Sequence, residues 1–508
     1  MRAAELALAL DRVLPDHLAL WSLAGGRPAA TPRPGGPEDL GTLLEASIAP
    51  ADRRGRGVHY TPRDLAAAVV ERALTGQVEA TVCDPACGGG ALLLAAGRHQ
   101  VAAGGEAHDV VARLWGIDTD ALAVATTEAA LTLWSGVVPP VGNLLVADAL
   151  APLELPAFDA VIGNPPFLSQ LDASTTRSSE EVTRLRARFG SAVQAYTDPA
   201  ALFLLAACDL TRSGGAIAMV QPQSVLAARD AAGVRRAVGE RAELREVWVP
   251  PGRPFEASVE VCVAVLDVGP RSGAAQPVEH AWSARLARAL GVPSIDLSAE
   301  RTAGKELTTA AAFRAEYYGM VPHVHEADAL PDGRPLLTTG LVDLAAHAWG
   351  TRPARIGGRA WHRPVVDVAA LEGRAAEWAR RTSTPKLVIA TQTRVIEAVV
   401  DLEGEVLPAV PLIVAWAPTE RLWPLAAALC SPPINAWAAE RTAGSALASG
   451  ALKLTAGLVR SAPLPLDDDQ WRQGTEALQA GDLHAFARAM TAAYRCGDDV
   501  AAWWLDRC

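Results

Sequence analysis

The chain has 508 residues; half are apolar, a fifth are charged, and the formal net charge is −11. That length calls for roughly two to four domains and can bury a sizeable core without staples. Collagen, coiled coil and wholesale disorder are excluded by composition. So is nucleic-acid binding by overall basicity, which means that any phosphate-binding charge must be local.

An amphipathic helix is expected over 1–22, interrupted by Glu5, Asp11, Arg12, Asp16 and His17, which argues against a signal peptide. Residues 24–38 are rich in Gly and Pro and read as a loop. From about 58 to 268, short apolar runs alternate with Ala/Leu-rich stretches, the pattern of an α/β fold with a parallel sheet. The expected strands are 80–84 (ATVCD), 113–118 (RLWGID), 143–147 (NLLVA), 158–162 (FDAVI), 215–220 (GAIAMV), 244–249 (LREVWV) and 259–267 (VEVCVAVLD). Helices are expected at 64–75, 90–103, 119–134, 199–212 and 230–240, with the polar stretch 169–195 read as a mobile active-site loop. After about 270 the alternation becomes irregular. There 386–400 and 405–416 read as strands, and 422–440 and 470–495 as helices. The expected divisions are 1–50 (helix and linker), 51–270 (catalytic domain) and 271–508 (second domain). Seven scattered cysteines without a C-x-x-C pair or completed zinc cluster imply a reducing, cytoplasmic setting and no metal. No apolar run is long enough for a membrane span.

The strongest local signal is Gly163-Asn164-Pro165-Pro166-Phe167, directly after the strand FDAVI. Two prolines cannot continue a central strand, so the chain leaves the sheet at its carboxyl edge, where ligands bind in such folds. An exocyclic amino group on a base is a poor nucleophile, because its lone pair is delocalised into the ring. The Asn164 side-chain oxygen and the Pro165 carbonyl can accept its two hydrogens and aim that lone pair, while Phe167 offers a stacking face. The bland alternative is a proline turn.

A second motif, Asp84-Pro85-Ala86-Cys87-Gly88-Gly89-Gly90, lies between a strand and a helix. Its glycines allow close backbone approach to a ligand. No Lys-Ser/Thr follows, so it is not a P-loop. An acid ending the strand suits a ligand with a cationic amine, such as the methionine end of S-adenosylmethionine. Asp118 and Asp148 end the next two strands, about one βα unit apart each, and suit ribose hydroxyls and an adenine amino group. Asp120 competes for the ribose role but sits where a helix cap would. Upstream, His59-Tyr60-Thr61-Pro62 precedes a helix. Thr61 reads as its cap with Pro62 at the first position, or as part of a lid over the cofactor.

In the order HYTP, DPACGGG, GID, VAD, GNPPF, the chain resembles the S-adenosylmethionine-dependent amino-methyltransferases that modify adenine N6 in DNA, in the subgroup with a C-terminal target-recognition domain. The resemblance implies a Rossmann-like methyltransferase sheet followed by a mixed α+β target-recognition domain. Tyr60, Thr61, Asp84, Ala86, Gly88, Asp118, Asp148 and Asn164 match cofactor-binding positions. Asn164, Pro165, Pro166 and Phe167 match the catalytic tetrapeptide, with Phe167 where many relatives carry tyrosine. Phe255 matches an aromatic packing against a flipped base. The match is good over about 58–268 and thinner beyond, where 421–466 resembles the closing segment of recognition domains.

The implied partner is double-stranded DNA, with the target adenine extruded from the helix. Phosphate contacts are expected within 350–395, where nine basic residues face three acidic ones. Of these, Arg352, Arg355, Arg359, Arg363, Arg380 and Arg381 are the candidates, against a plain reading as solvated helix faces. A separate restriction endonuclease or defence-system subunits are the further partners this implies. Asn-Pro-Pro also serves enzymes that methylate guanine N2 in RNA or protein glutamine, although the roughly 240 residues after 268 argue against these. A single-chain restriction–modification protein would need a nuclease domain, and no E/D-x-K follows Asp467, Asp468 and Asp469. A degenerate DNA-binding module is opposed by the intact Asp84, Asp118, Asp148 and Asn164.

Overall fold

The computed structural model describes residues 36–47, 60–167, 178–194, 196–255, 259–269, 281–297, 300–312, 314–446 and 450–508. The helix expected over 1–22 and His59 lie outside them. The chain divides into two compact units between Ala289 and Leu290.

In chain order the first unit contains α1 (Pro37–Ser47), α2 (Arg63–Ala73), β1 (Val82–Asp84), α3 (Ala91–Ala102), α4 (Ala107–Val111), β2 (Leu114–Asp118), α5 (Ala121–Ser135), β3 (Leu144–Val146) and β4 (Phe158–Gly163). There follow α6 (Ser179–Phe189), α7 (Pro199–Leu210), β5 (Thr211–Pro222), α8 (Ala232–Gly239), β6 (Ala242–Trp248), β7 (Val261–Val268) and α9 (Ala281–Ala289). The seven strands form one sheet in the order β3-β2-β1-β4-β5-β7-β6. Pairing is parallel from β3 through β5, and β7 runs antiparallel between β5 and β6. This is the expected Rossmann-like sheet. Its order reverses between β1 and β4, which opens a ligand crevice at their carboxyl ends.

Burial explains the continuous apolar runs. All three residues of β1 are buried, as are the first six of β7, the antiparallel strand inside the mostly parallel sheet. Alanine-rich α7 is buried at ten of its twelve positions. Such small side chains let a helix lie close to the sheet.

Several expectations change. Thr61 does not cap α2: Pro62 takes the N-cap position and no side-chain cap bond forms. The described part of 169–195 is not loop throughout, because α6 occupies Ser179–Phe189, capped by Ser178. It buries only Leu185, so its sequence lacks a helix's apolar stripe. The stretch 199–212 ends earlier as helix, and β5 begins at Thr211.

The second unit is mixed α+β. Its larger sheets are two of four strands. The stretch 386–400 is three strands rather than one, Lys386–Ala390, Gln392–Thr393 and Ala398–Asp401, and 405–416 likewise divides into Leu407–Pro408 and Leu412–Trp416. Helix 422–440 breaks at Ser431, where Pro432 starts a new helix. Helix 470–495 breaks at Gly481, whose φ of 73° cannot continue a helix. A buried ion pair, Lys386 with Asp401, joins neighbouring strands. Asp401 also accepts the N–H groups of Glu405 (3.0 Å) and Val406 (3.1 Å).

Candidate active site

Four of the candidate side chains follow the carboxyl ends of β3, β2, β1 and β4 in spatial order: Asp148, Asp118, Asp84 and Asn164. Register brings them together. Asp84 pairs with Gly116 of β2, Asp118 with Val146 of β3, and Cys83 with Val161 of β4.

The glycine loop folds back on this edge. Cys87 N–H donates to the Ile117 carbonyl (2.9 Å), and Gly88 N–H donates to Asp118 Oδ2 (3.0 Å). Thr127 of α5 donates to the Gly88 carbonyl (2.8 Å). Gly88 has φ of +52°, and a Cβ there would meet nothing within 4 Å. That leaves an open, backbone-lined face beside two carboxylates, as a bound ligand requires.

Asp84 is 1 % exposed, and its Oδ1 accepts the Ala86 N–H at 3.0 Å. No ion pair compensates it among the described residues. Burial pushes its carboxyl up to about 7; the Ala86 N–H opposes this and the Asp118 charge adds to it. Asp118 is raised as well, chiefly by burial, against hydrogen bonds from the Asp120 and Gly88 N–H groups. Asp120 caps α5, its side chain accepting the Leu122 N–H (2.9 Å). A buried carboxylate without a counter-ion, next to an open glycine face, fits the cationic amine of an amino-acid-like ligand.

Asn164 is held by a contact the sequence did not disclose. Its side-chain N–H donates to Thr61 Oγ1 at 3.0 Å. This bond links residues 103 positions apart and fixes which way the amide faces. Gly163 sits beside the acid: a Cβ there would lie 3.6 Å from Asp84 Oδ1 and 3.3 Å from Met219. Pro165 and Phe167 are buried. Phe167 and Phe255 pack on each other, ring centroids 5.9 Å apart and planes at 55°. The two expected base-stacking rings are thus brought together, at a spacing that leaves no slot for a third ring between them.

Two further features were not anticipated. Arg184 of α6 pairs with Asp148 Oδ2 (2.6 Å), while Asp148 Oδ1 accepts the Leu150 N–H (2.8 Å). One turn along, Arg188 donates to the carbonyls of Ala149 and Ala151 (2.8 and 2.6 Å). Opposite the glycine loop, α1 approaches through Gly41: a Cβ on Gly89 would come 2.5 Å from the Gly41 Cα. One on Gly41 would meet the Tyr60 ring at 2.8 Å. The signal for α1 was present in Pro37, Glu38 and Asp39 before Leu40, Leu43 and Leu44.

The basic segment is less uniform than its composition. Arg352 is bound to Asp343 through both carboxylate oxygens (3.1 and 3.1 Å), and Arg363 to Asp328 (3.3 Å). The Arg381 guanidinium lies over Trp416. Arg355, Arg359 and Arg380 are exposed and make no side-chain hydrogen bond or ion pair among the described residues.

A Rossmann-like sheet with these acids and an Asn-Pro-Pro-Phe corner defines an S-adenosylmethionine-dependent methyltransferase. Residues 41–278 match the family model of the N-6 DNA methylases. The methyl donor is S-adenosylmethionine. Among solved structures, the chain resembles the type IIL restriction–modification enzyme MmeI in complex with DNA. Identity there is 13 %, the TM-score is 0.59, and the match covers 96 % of this chain and 80 % of that one. The type IIG restriction endonuclease BpuSI matches at 12 % identity and a TM-score of 0.42, over 100 % of this chain and 77 % of that one. The first likeness shows a shared fold along nearly the whole chain. Among the described residues no helix is long and apolar enough to cross a membrane.

Proposed function

We propose that the protein transfers a methyl group from S-adenosylmethionine to N6 of an adenine flipped out of double-stranded DNA, as the modification activity of a restriction or defence system. The observation that carries this reading is the juxtaposition of Asn164, oriented by Thr61, with the buried Asp84 across the β1–β4 crevice. The likeness to MmeI, a restriction–modification enzyme bound to DNA, supports the choice of substrate and setting.

On this reading Asp84 holds the cofactor's ammonium group, the Gly88 face receives its backbone-like portion, and Asp118 accepts the ribose hydroxyls. Each Asp118 oxygen already accepts one N–H, from Asp120 or Gly88, and retains a second acceptor position. Asp148 accepts the cofactor's adenine amino group beside Arg184. The cofactor supplies an electrophilic methyl group on a sulfonium. Asn164 Oδ1 and the Pro165 carbonyl accept the two hydrogens of the target amino group, draw its nitrogen toward tetrahedral geometry and aim its lone pair. The Thr61 bond makes that arrangement pre-organised, so the amide pays no reorientation cost in the transition state. Stacking by Phe167 offsets part of the flipping cost, at about 1–3 kcal/mol per base. Phe255 supports Phe167 from behind rather than forming the second wall of a sandwich.

The test is to incubate the purified protein with tritiated S-adenosylmethionine and unmethylated genomic DNA, total RNA or a protein extract, and to identify the labelled product. N6-methyladenine from DNA is expected, and Asn164→Ala is expected to abolish it while cofactor binding remains. Label confined to RNA or protein would overturn the substrate assignment.

A further inference from the structure

The exposed arginines of the second unit are not equivalent, and two of them stand on one hairpin. Strands Ala354–Ile356 and Arg359–Trp361 pair antiparallel across Gly357-Gly358. Both glycines have positive φ (58° and 80°), the requirement of the tight turn that matches strand twist. The ribbon is fixed at its tip: Gly357 N–H donates to the Tyr317 hydroxyl (3.0 Å), and a Cβ on Gly357 would strike Val321 at 2.7 Å.

The ladder rows are Ala354 with Trp361, Arg355 with Ala360, and Ile356 with Arg359. Successive rows face opposite ways. Buried Ala354 and Ile356 and half-buried Trp361 therefore define the inward face, with Arg359 overhanging its rim. The outward face presents exposed Arg355 beside the exposed methyl of Ala360. The carboxylates bonded to the residues on either side of this ribbon are already engaged. Asp343 is held by Arg352, Asp328 by Arg363, and Glu326 accepts the N–H groups of His362 and Arg363 (2.8 and 2.8 Å). What remains is a rigid two-stranded ribbon with a side-chain-free tip, one outward arginine next to a small residue, and a second arginine at its edge.

We propose that this hairpin is the element that reads the DNA sequence. It enters the major groove, where Arg355 recognises a guanine edge and Arg359 holds a phosphate. The inference rests on the reading of DNA as substrate and says which residues discriminate within it. A two-stranded ribbon fits the major groove, and an arginine bonds guanine O6 and N7 through two parallel N–H groups. Gly358, where a Cβ would meet nothing within 4 Å, and Ala360 let the outward side of the ribbon approach base edges closely. Arg359, on the other side of the ribbon, faces a groove wall rather than the floor.

The discriminating substitution is lysine for arginine, which keeps the charge and loses the two-pronged donor geometry. Full-length wild type, Arg355→Lys, Arg359→Lys and Arg359→Ala are incubated with S-adenosylmethionine and unmethylated genomic DNA, and methylated adenines are mapped by sequencing. Cofactor affinity and thermal melting monitor folding. In Arg355→Lys the recognition motif is expected to relax at one guanine, with preference there falling about ten-fold or more. Arg359→Lys is expected to keep the wild-type recognition motif, with any loss of binding or rate equal on all sequences. Arg359→Ala is expected to weaken binding equally on all sequences, with a salt slope lower by about one. An unchanged motif in a folded Arg355→Lys, or a relaxed one in Arg359→Lys, overturns the assignment. A wild type that methylates no DNA overturns the substrate reading beneath it, a result separable from either.

Discussion

Asp84→Asn is expected to strengthen the fold and abolish cofactor binding at once. The Asp84 carboxyl is 1 % exposed, and burial raises it from 3.8 to about 7. A raised carboxylate favours folding in its protonated form, so the associated stability is complete below pH 3.8 and is lost as pH rises through about 7. At about 1.4 kcal/mol per pH unit, that span leaves a penalty of at most about 4 kcal/mol in the ligand-free protein at pH 8. Asparagine has nearly the same shape, keeps an acceptor for the Ala86 N–H and carries no charge, so it removes the penalty. Urea denaturation at pH 8 should show the gain, about half as large at pH 5.5. Calorimetric titration with S-adenosylmethionine should show wild-type affinity falling as pH drops below about 7, where a proton competes with the ligand's ammonium group. The variant should bind at no pH. Wild-type affinity in the variant would refute Asp84 as the ammonium partner. Equal stability at pH 8 would refute the claim that its charge is uncompensated.

Thr61→Val removes the acceptor that orients Asn164 and is expected to lower kcat about ten-fold, the value of roughly 1.4 kcal/mol, with S-adenosylmethionine affinity changed less than two-fold. Thr61→Ser should restore the rate; a uniform loss of binding in all Thr61 variants would indicate a packing role instead. In the second unit, Lys386→Met leaves Asp401 buried without its cation and is expected to cost about 3–5 kcal/mol in urea denaturation. An unchanged midpoint would show that the N–H groups of Glu405 and Val406 suffice for Asp401.

Much of the first unit was legible because its physics is local. Strands buried on both faces read as unbroken apolar runs, and an acid or a double proline at the end of such a run marks the edge where ligands sit. Asp120 as a helix cap was readable for the same reason. Misreadings arose where a distant group overrode local preference. Thr61 looks like a cap, yet its hydroxyl is recruited by Asn164 just beyond β4, and Pro62 takes the N-cap position instead. α6 hides because only Leu185 is buried, although Ser178, Glu180, Glu181, Arg186 and Arg188 mark its ends. The partnership of Arg184 with Asp148 is tertiary and has no sequence signature. In the second unit many strands are two to five residues long, too short for a period to register. Equal-looking arginines were also sorted only by which acids happened to lie within reach.

The meeting of Gly41 and Gly89 makes two distant codons behave as one trait. A methyl at Gly89 would intrude on the backbone of α1, so Gly89 cannot enlarge while Gly41 stays in place; one at Gly41 would press on the Tyr60 ring and come within 3.4 Å of the Gly89 carbonyl. A lineage that drifts away from glycine at one must first move the helix, and a library that randomises them independently will be mostly dead at this junction. For anyone grafting α1 of one such enzyme onto the cofactor loop of another, these two residues are the seam to carry across together.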